Sequence, residues 1–130
     1  MTISRKRERL TLQYKLGDEH LSTVESFTYL GVTISSELRW REHVHNMSAK
    51  ATRVLNFVRC NIYHCTPKVK ALAYTSLIRP HLEYASAAWD PYTARDSHQL
   101  DKVQRRAARF IKRDYRQTTS VSELISHQCL

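Results

Sequence analysis

Near the start of the chain apolar and polar residues alternate. Leu10, Leu12, Tyr14 and Leu16 are separated by Thr11, Gln13 and Lys15, and a period of two is the pattern of a half-buried strand. Gly17-Asp18 then suits a tight turn. Phe27–Ile34 (FTYLGVTI) is aromatic and β-branched and is expected to form a second strand, with Gly31 in its middle marking a bulge or a close backbone approach. Residues 1–35 therefore predict a small antiparallel unit. Two or three strands alone are marginal in water, so the unit needs something to pack against, and an unpaired edge there would invite aggregation.

From Trp40 the period changes. Trp40, Val44, Met47, Ala51, Val54, Leu55 and Val58 recur at steps of three and four, which predicts one stripe of an amphipathic helix running to about Arg59. A second helix starts at Thr66-Pro67, a good N-cap followed by proline in the first turn. Val69, Ala71, Leu72, Ala73, Tyr74, Leu77 and Ile78 surround its axis, so it is expected to be central and buried on most sides. Pro80 lacks a backbone donor and predicts a kink or break near Arg79. Helix is expected to resume through Leu82, Tyr84, Ala85 and Ala88 until Asp90-Pro91 stops it. The last long helix begins near Thr93, whose spacing to Asp96 is that of a capping box. Leu100, Val103, Ala107, Phe110 and Ile111 form its apolar stripe. A weaker helix is expected over 120–126.

Two glycines and three prolines in 130 residues favour long elements joined by few turns. The fold class expected is α+β, mainly α: a short N-terminal β-hairpin in residues 1–38, then a three- to four-helix bundle in residues 39–130. There is no internal repeat and no low-complexity linker.

Charge adds a functional direction. Twenty-one Lys and Arg against twelve Asp and Glu leave a formal net charge of +9, and such an excess usually meets an anionic partner. Residues 1–38 are neutral, so the whole excess lies beyond them. Lys102, Arg105, Arg106, Arg109, Lys112, Arg113 and Arg116 recur at steps of three and four and, at about 100° per residue, fall roughly opposite the apolar stripe. Lys50 and Arg53 lie off the apolar stripe of the first helix. These nine cations are the candidate nucleic-acid-binding residues, because phosphates along a strand reward a continuous cationic face through counterion release. A solvated helix face is the plain alternative. Membrane or calmodulin binding by a basic amphipathic helix ranks lower, since the apolar stripe has other helices to cover.

Other chemistry finds little support. His43, His45, Cys60, His64 and Cys65 could each ligate zinc, but His43 and His45 are two apart on a helix and point to different sides. No second CxxC completes four ligands. No paired-acid motif, glycine-rich phosphate loop or GxSxG is present. No metal site, cofactor or catalytic residue is therefore expected. Trp40 and Trp89 read as core anchors, and Glu83 as a surface partner for Arg79 or His81. Cys60, Cys65 and Cys129 read as free thiols of a reducing compartment. No stretch of about 18 apolar residues spans a membrane, and MTISRKRER has no secretory h-region. An intracellular location, nuclear or cytoplasmic, is expected.

Five segments in order carry a resemblance: Phe27-Thr28-Tyr29-Leu30-Gly31-Val32, Trp40 with His43-Val44, Arg79-Pro80-His81-Leu82-Glu83-Tyr84, Trp89-Asp90-Pro91, and Gln104-Arg105-Arg106-Ala107-Ala108-Arg109-Phe110. Together they resemble the C-terminal part of the reverse transcriptase of non-LTR (LINE-type, jockey-like) retrotransposons, over nearly the whole chain. The resemblance implies that Tyr29, Leu30 and Gly31 belong to a primer-grip-like palm hairpin near the primer's 3′ end. It implies that the helices after Trp40 form a thumb holding a template–primer duplex (RNA–DNA or DNA) by its backbone, without sequence preference. It also implies that Met1–Arg9 follows the catalytic strands, and that the catalytic aspartates, fingers and endonuclease belong to sequence before Met1. On that reading the chain is a fragment, shortened at its C-terminus relative to the family, and no enzyme on its own. The alternatives are a stand-alone helical interaction or nucleic-acid-binding module derived from such an element, and an enzyme with an unrecognised site.

Overall fold

A computed structural model describes residues 13–113 together with Met1, Ile3 and Tyr115. The architecture is α+β and mainly helical, as the pattern predicts: β1 (Lys15–Leu16), β2 (Glu19–His20), β3 (Ser26–Tyr29), β4 (Val32–Ser35), α1 (Arg41–Asn61), α2 (Pro67–Ala73), a π-helical turn (Tyr74–Ile78), α3 (Arg79–Glu83) and α4 (Ala94–Lys112). Two compact units divide the chain, Met1–His43 and Val44–Leu130. No described helix is long and apolar enough to cross a membrane.

In the first unit, β1 pairs antiparallel with β2 around Gly17-Asp18, as the turn signal predicts. The strand expected over Leu10–Leu16 is seen only as Lys15–Leu16, and Tyr14 and Leu16 are exposed rather than half-buried; Leu10 and Leu12 lie outside the described residues. The single strand expected over Phe27–Ile34 is instead a hairpin. β3 and β4 pair with Tyr29 opposite Val32 and Phe27 opposite Ile34. Leu30 (φ 47°) and Gly31 (φ 80°) make the two-residue turn. Positive φ at both central positions is the type I′ pattern, whose twist matches that of the flanking strands. Gly31 is thus a turn residue, and the apolar leucine beside it conceals the turn in the sequence. His43 is buried, and its Nδ1 accepts the backbone N–H of Thr33 at 3.2 Å. Trp40, half-buried, meets the His43 ring edge-on.

In the second unit the apolar stripes meet. Ala51, Leu55 and Val58 of α1, Tyr74, Ile78 and Leu82 of the middle helical stretch, and Val103, Ala107, Phe110 and Ile111 of α4 form one buried cluster. Leu100 packs against it, and Ala108 is buried as well. The middle stretch is not buried on most sides: Val69, Leu72 and Leu77 are exposed, and burial falls on Tyr74, Ile78 and Leu82. An apolar ring around a helix axis does not say how many neighbours the fold supplies.

Pro80 does not break this stretch. The turn before it widens, so that the Arg79 N–H bonds to the Tyr74 carbonyl, five residues back. A proline would otherwise press its ring on the carbonyl four residues earlier and leave that acceptor unpaired; a π-helical turn is a known way to absorb such a conflict. Hydroxyls cover carbonyls nearby: Ser76 donates to the Leu72 carbonyl at 2.7 Å and Thr75 to the same oxygen at 3.0 Å. Helix ends at Glu83, earlier than Ala88, because Tyr84 swings to an extended ψ of 125° and Ala85 follows in the left-handed region (φ 54°). The buried Trp89 indole donates to the Tyr84 carbonyl at 2.8 Å, so Trp89 is a core anchor that also closes this helix end. Glu83 pairs with Arg79 at 2.6 Å.

Candidate nucleic-acid interface

The first turn of α4 is built by Thr93. Its hydroxyl accepts the Asp96 N–H at 3.2 Å and donates to the Asp96 carboxylate at 2.6 Å. Asp96 is buried and occupied with this cap, which satisfies an otherwise orphaned helix donor. The apolar face then turns inward through Val103, Ala107, Phe110 and Ile111. Arg95, Lys102, Arg105 and Arg106 are left exposed on the outer side, with Arg109 and Lys112 half-buried at its margins. Asp101 is the one exposed acid of the helix.

The candidate cations divide into groups. Lys102 and Arg106 line an open groove of about 530 Å³ between α1 and α4. Arg105 is exposed on the outer face of α4. Lys50 and Arg53 are exposed on α1, and neither lines the groove. Arg113 departs from the expected stripe. It is the left-handed C-cap of α4 (φ 54°), and its guanidinium donates to the Tyr63 carbonyl at 2.7 Å while covering the Tyr63 ring at 5.3 Å. A helix that ends at Lys112 cannot carry the 3.6-residue stripe further, so Arg113 closes the helix end instead. Arg116 lies outside the described residues, as do the expected helix over 120–126 and Cys129. Tyr29, Leu30 and Gly31 stand at the exposed tip of the β3–β4 hairpin, with Tyr29 61% and Leu30 73% accessible.

The groove brings in residues that the cationic stripe does not reveal: His45 from α1, and Arg95, His98 and Gln99 from α4. Gln99 Nε2 lies 3.3 Å from His45 Nδ1. A signal for them exists in the sequence. Arg95, His98, Lys102 and Arg106 continue the cationic row one and two turns toward the helix start. His45, Ser48 and Thr52 form a polar row beside the apolar stripe of α1. Which two rows face each other is a matter of helix packing, which no single-helix pattern contains.

Cys60 and Cys65 are exposed free thiols. Among the described residues, no three His, Cys, Asp or Glu side chains gather as a metal site would need. His43 is buried and His45 exposed, so the two point apart as their spacing requires. No protein-family model, curated protein or solved structure matches this chain.

Proposed function

We propose that this chain is a thumb-like nucleic-acid-binding region of a LINE-type RNA-directed DNA polymerase. It grips a template–primer duplex, RNA–DNA or DNA, by the phosphate backbone and without sequence preference, and performs no catalysis by itself. One observation carries the reading. Arg95, Lys102, Arg105 and Arg106 share the exposed side of α4, while the acid of its first turn, Asp96, is buried in the cap. With Asp101 as the one exposed acid of the helix against these four cations, the face keeps a net positive charge available for phosphate, and each neutralised phosphate releases counterions. The test is duplex binding by fluorescence anisotropy across a salt series. Four phosphate contacts predict a slope of log K against log salt of about −3 to −4, with little difference between sequences. A salt-independent affinity, or none, overturns the reading.

A second reading has an observation in its favour. Val69, Leu72 and Leu77 expose apolar surface on the middle helical stretch, as a protein-interaction module derived from such an element would. It predicts a definite protein partner and no salt-sensitive duplex binding.

A further inference from the structure

We propose that the groove between α1 and α4 is a seat for a phosphoryl group. Arg95, Lys102 and Arg106 line one wall and His45 stands on the other, with His98 beside the three cations. None of the lining residues is acidic and none is Phe, Tyr or Trp. A nucleobase is usually held by stacking on an aromatic face, and this groove has none; Ala49 and Val103 are its only wholly apolar side chains, and every charged side chain that lines it is cationic. Two guanidinium forks and an ammonium converging on one open space match the oxygens of phosphate.

The Gln99–His45 contact completes the donor set. An amide nitrogen only donates, so with Gln99 Nε2 at 3.3 Å the His45 Nδ1 accepts. The ring proton then resides on Nε2, a donor on the α1 side of the groove. Ser48 offers none, because its hydroxyl proton is committed to the Val44 carbonyl at 2.7 Å. Ala49 lines the groove with a methyl group, which keeps the space open.

The phosphate can come from a nucleic-acid backbone or from a free phosphoryl compound, and the seat rests on the duplex reading only for that source. The experiment uses the full chain and follows the ring signals of His45 and His98 by NMR, titrating inorganic phosphate in one arm and an RNA–DNA duplex in the other. Shifts with duplex, weakened about tenfold by Ala49→Phe, which fills the groove at unchanged charge, identify a backbone phosphate in the seat. Shifts with inorganic phosphate but no duplex binding keep the seat and overturn the duplex reading. Arg95→Gln is the second variant, should Ala49→Phe not fold, and is expected to weaken binding in the same arms. Histidine signals unmoved in both arms overturn the seat, and so do variants that bind like the parent chain. Salt-sensitive duplex binding that survives either of those results leaves the duplex reading standing without the seat.

Discussion

The Lys70 ammonium lies 4.7 Å from the centre of the Phe110 ring, inside the helical unit. Lys70 is only 1% accessible, and its Nζ has no hydrogen-bond partner among the described residues. The Tyr63 ring stands on it at 5.5 Å, and Arg113 covers that same ring at 5.3 Å. Two aromatic faces are the compensation for a charge taken out of water, and the last turn of α4 closes over them.

Burial, helped by the neighbouring Arg113 and opposed by Cys65, holds the Lys70 pKa below the usual lysine value. The unfolded chain therefore binds the proton more tightly. Stability from this group is present above the unfolded value of about 10.4 and lost as pH falls through the folded one. At neutral pH the ammonium is a net liability, so Lys70→Met, which keeps the length and removes the charge, is expected to raise Tm by a few degrees. Calorimetry at pH 7 checks it; a lower Tm would mean that the ring contacts outweigh the desolvation.

His43 behaves in the same direction within the hairpin unit. Burial lowers its pKa, and the Thr33 N–H donates to its Nδ1, which suits the neutral ring. Its stabilising contribution is present above the ordinary histidine value of about 6.5 and is lost as pH falls through the lowered folded-state value. His43→Gln can still accept from Thr33 but does not titrate. Denaturant midpoints between pH 7.5 and pH 5 are expected to fall for the parent chain and to stay flatter for the variant.

Leu30 holds a left-handed conformation that costs an ordinary L-residue about 1 kcal/mol, whereas asparagine is favoured at that position of a type I′ turn. Leu30→Asn is expected to stabilise the hairpin by about that amount, seen as slower amide exchange along β3 and β4. The same variant separates roles, since weaker duplex binding by a more stable hairpin would mark the leucine side chain as a contact.

The row on α4 gives the most direct functional prediction. Arg105→Glu/Arg106→Glu/Arg109→Glu is expected to abolish duplex binding at low salt while leaving helical content intact by circular dichroism, because all three side chains lie outside the buried face. Equal binding by this triple variant would reduce the row to a solvated helix surface.

Within each element, the order of residues was sufficient. The inward stripe of α1, the Thr93 cap and the outward cations of α4 all follow from a 3.6-residue period and local hydrogen bonding, and the Arg79–Glu83 pair needs only a turn of helix. Where the outcome depended on a neighbour, the pattern misled or was silent. FTYLGVTI has the composition of one strand, and only pairing of Tyr29 with Val32 makes it two. Pro80 demands a disruption, and burial of Tyr74, Ile78 and Leu82 on the same face is met by widening a turn rather than breaking the helix. Leu72 is as apolar as Leu82, and only the neighbouring helices decide which of them is covered. The exposed positions of Lys102, Arg105 and Arg106 on α4 were therefore legible from the period, whereas Arg113 left the stripe to cap the helix end. The groove that adds His45 to Arg95, Lys102 and Arg106 belongs to the packing of two helices, because a side chain's distance from a residue some fifty positions away is set by the core between them.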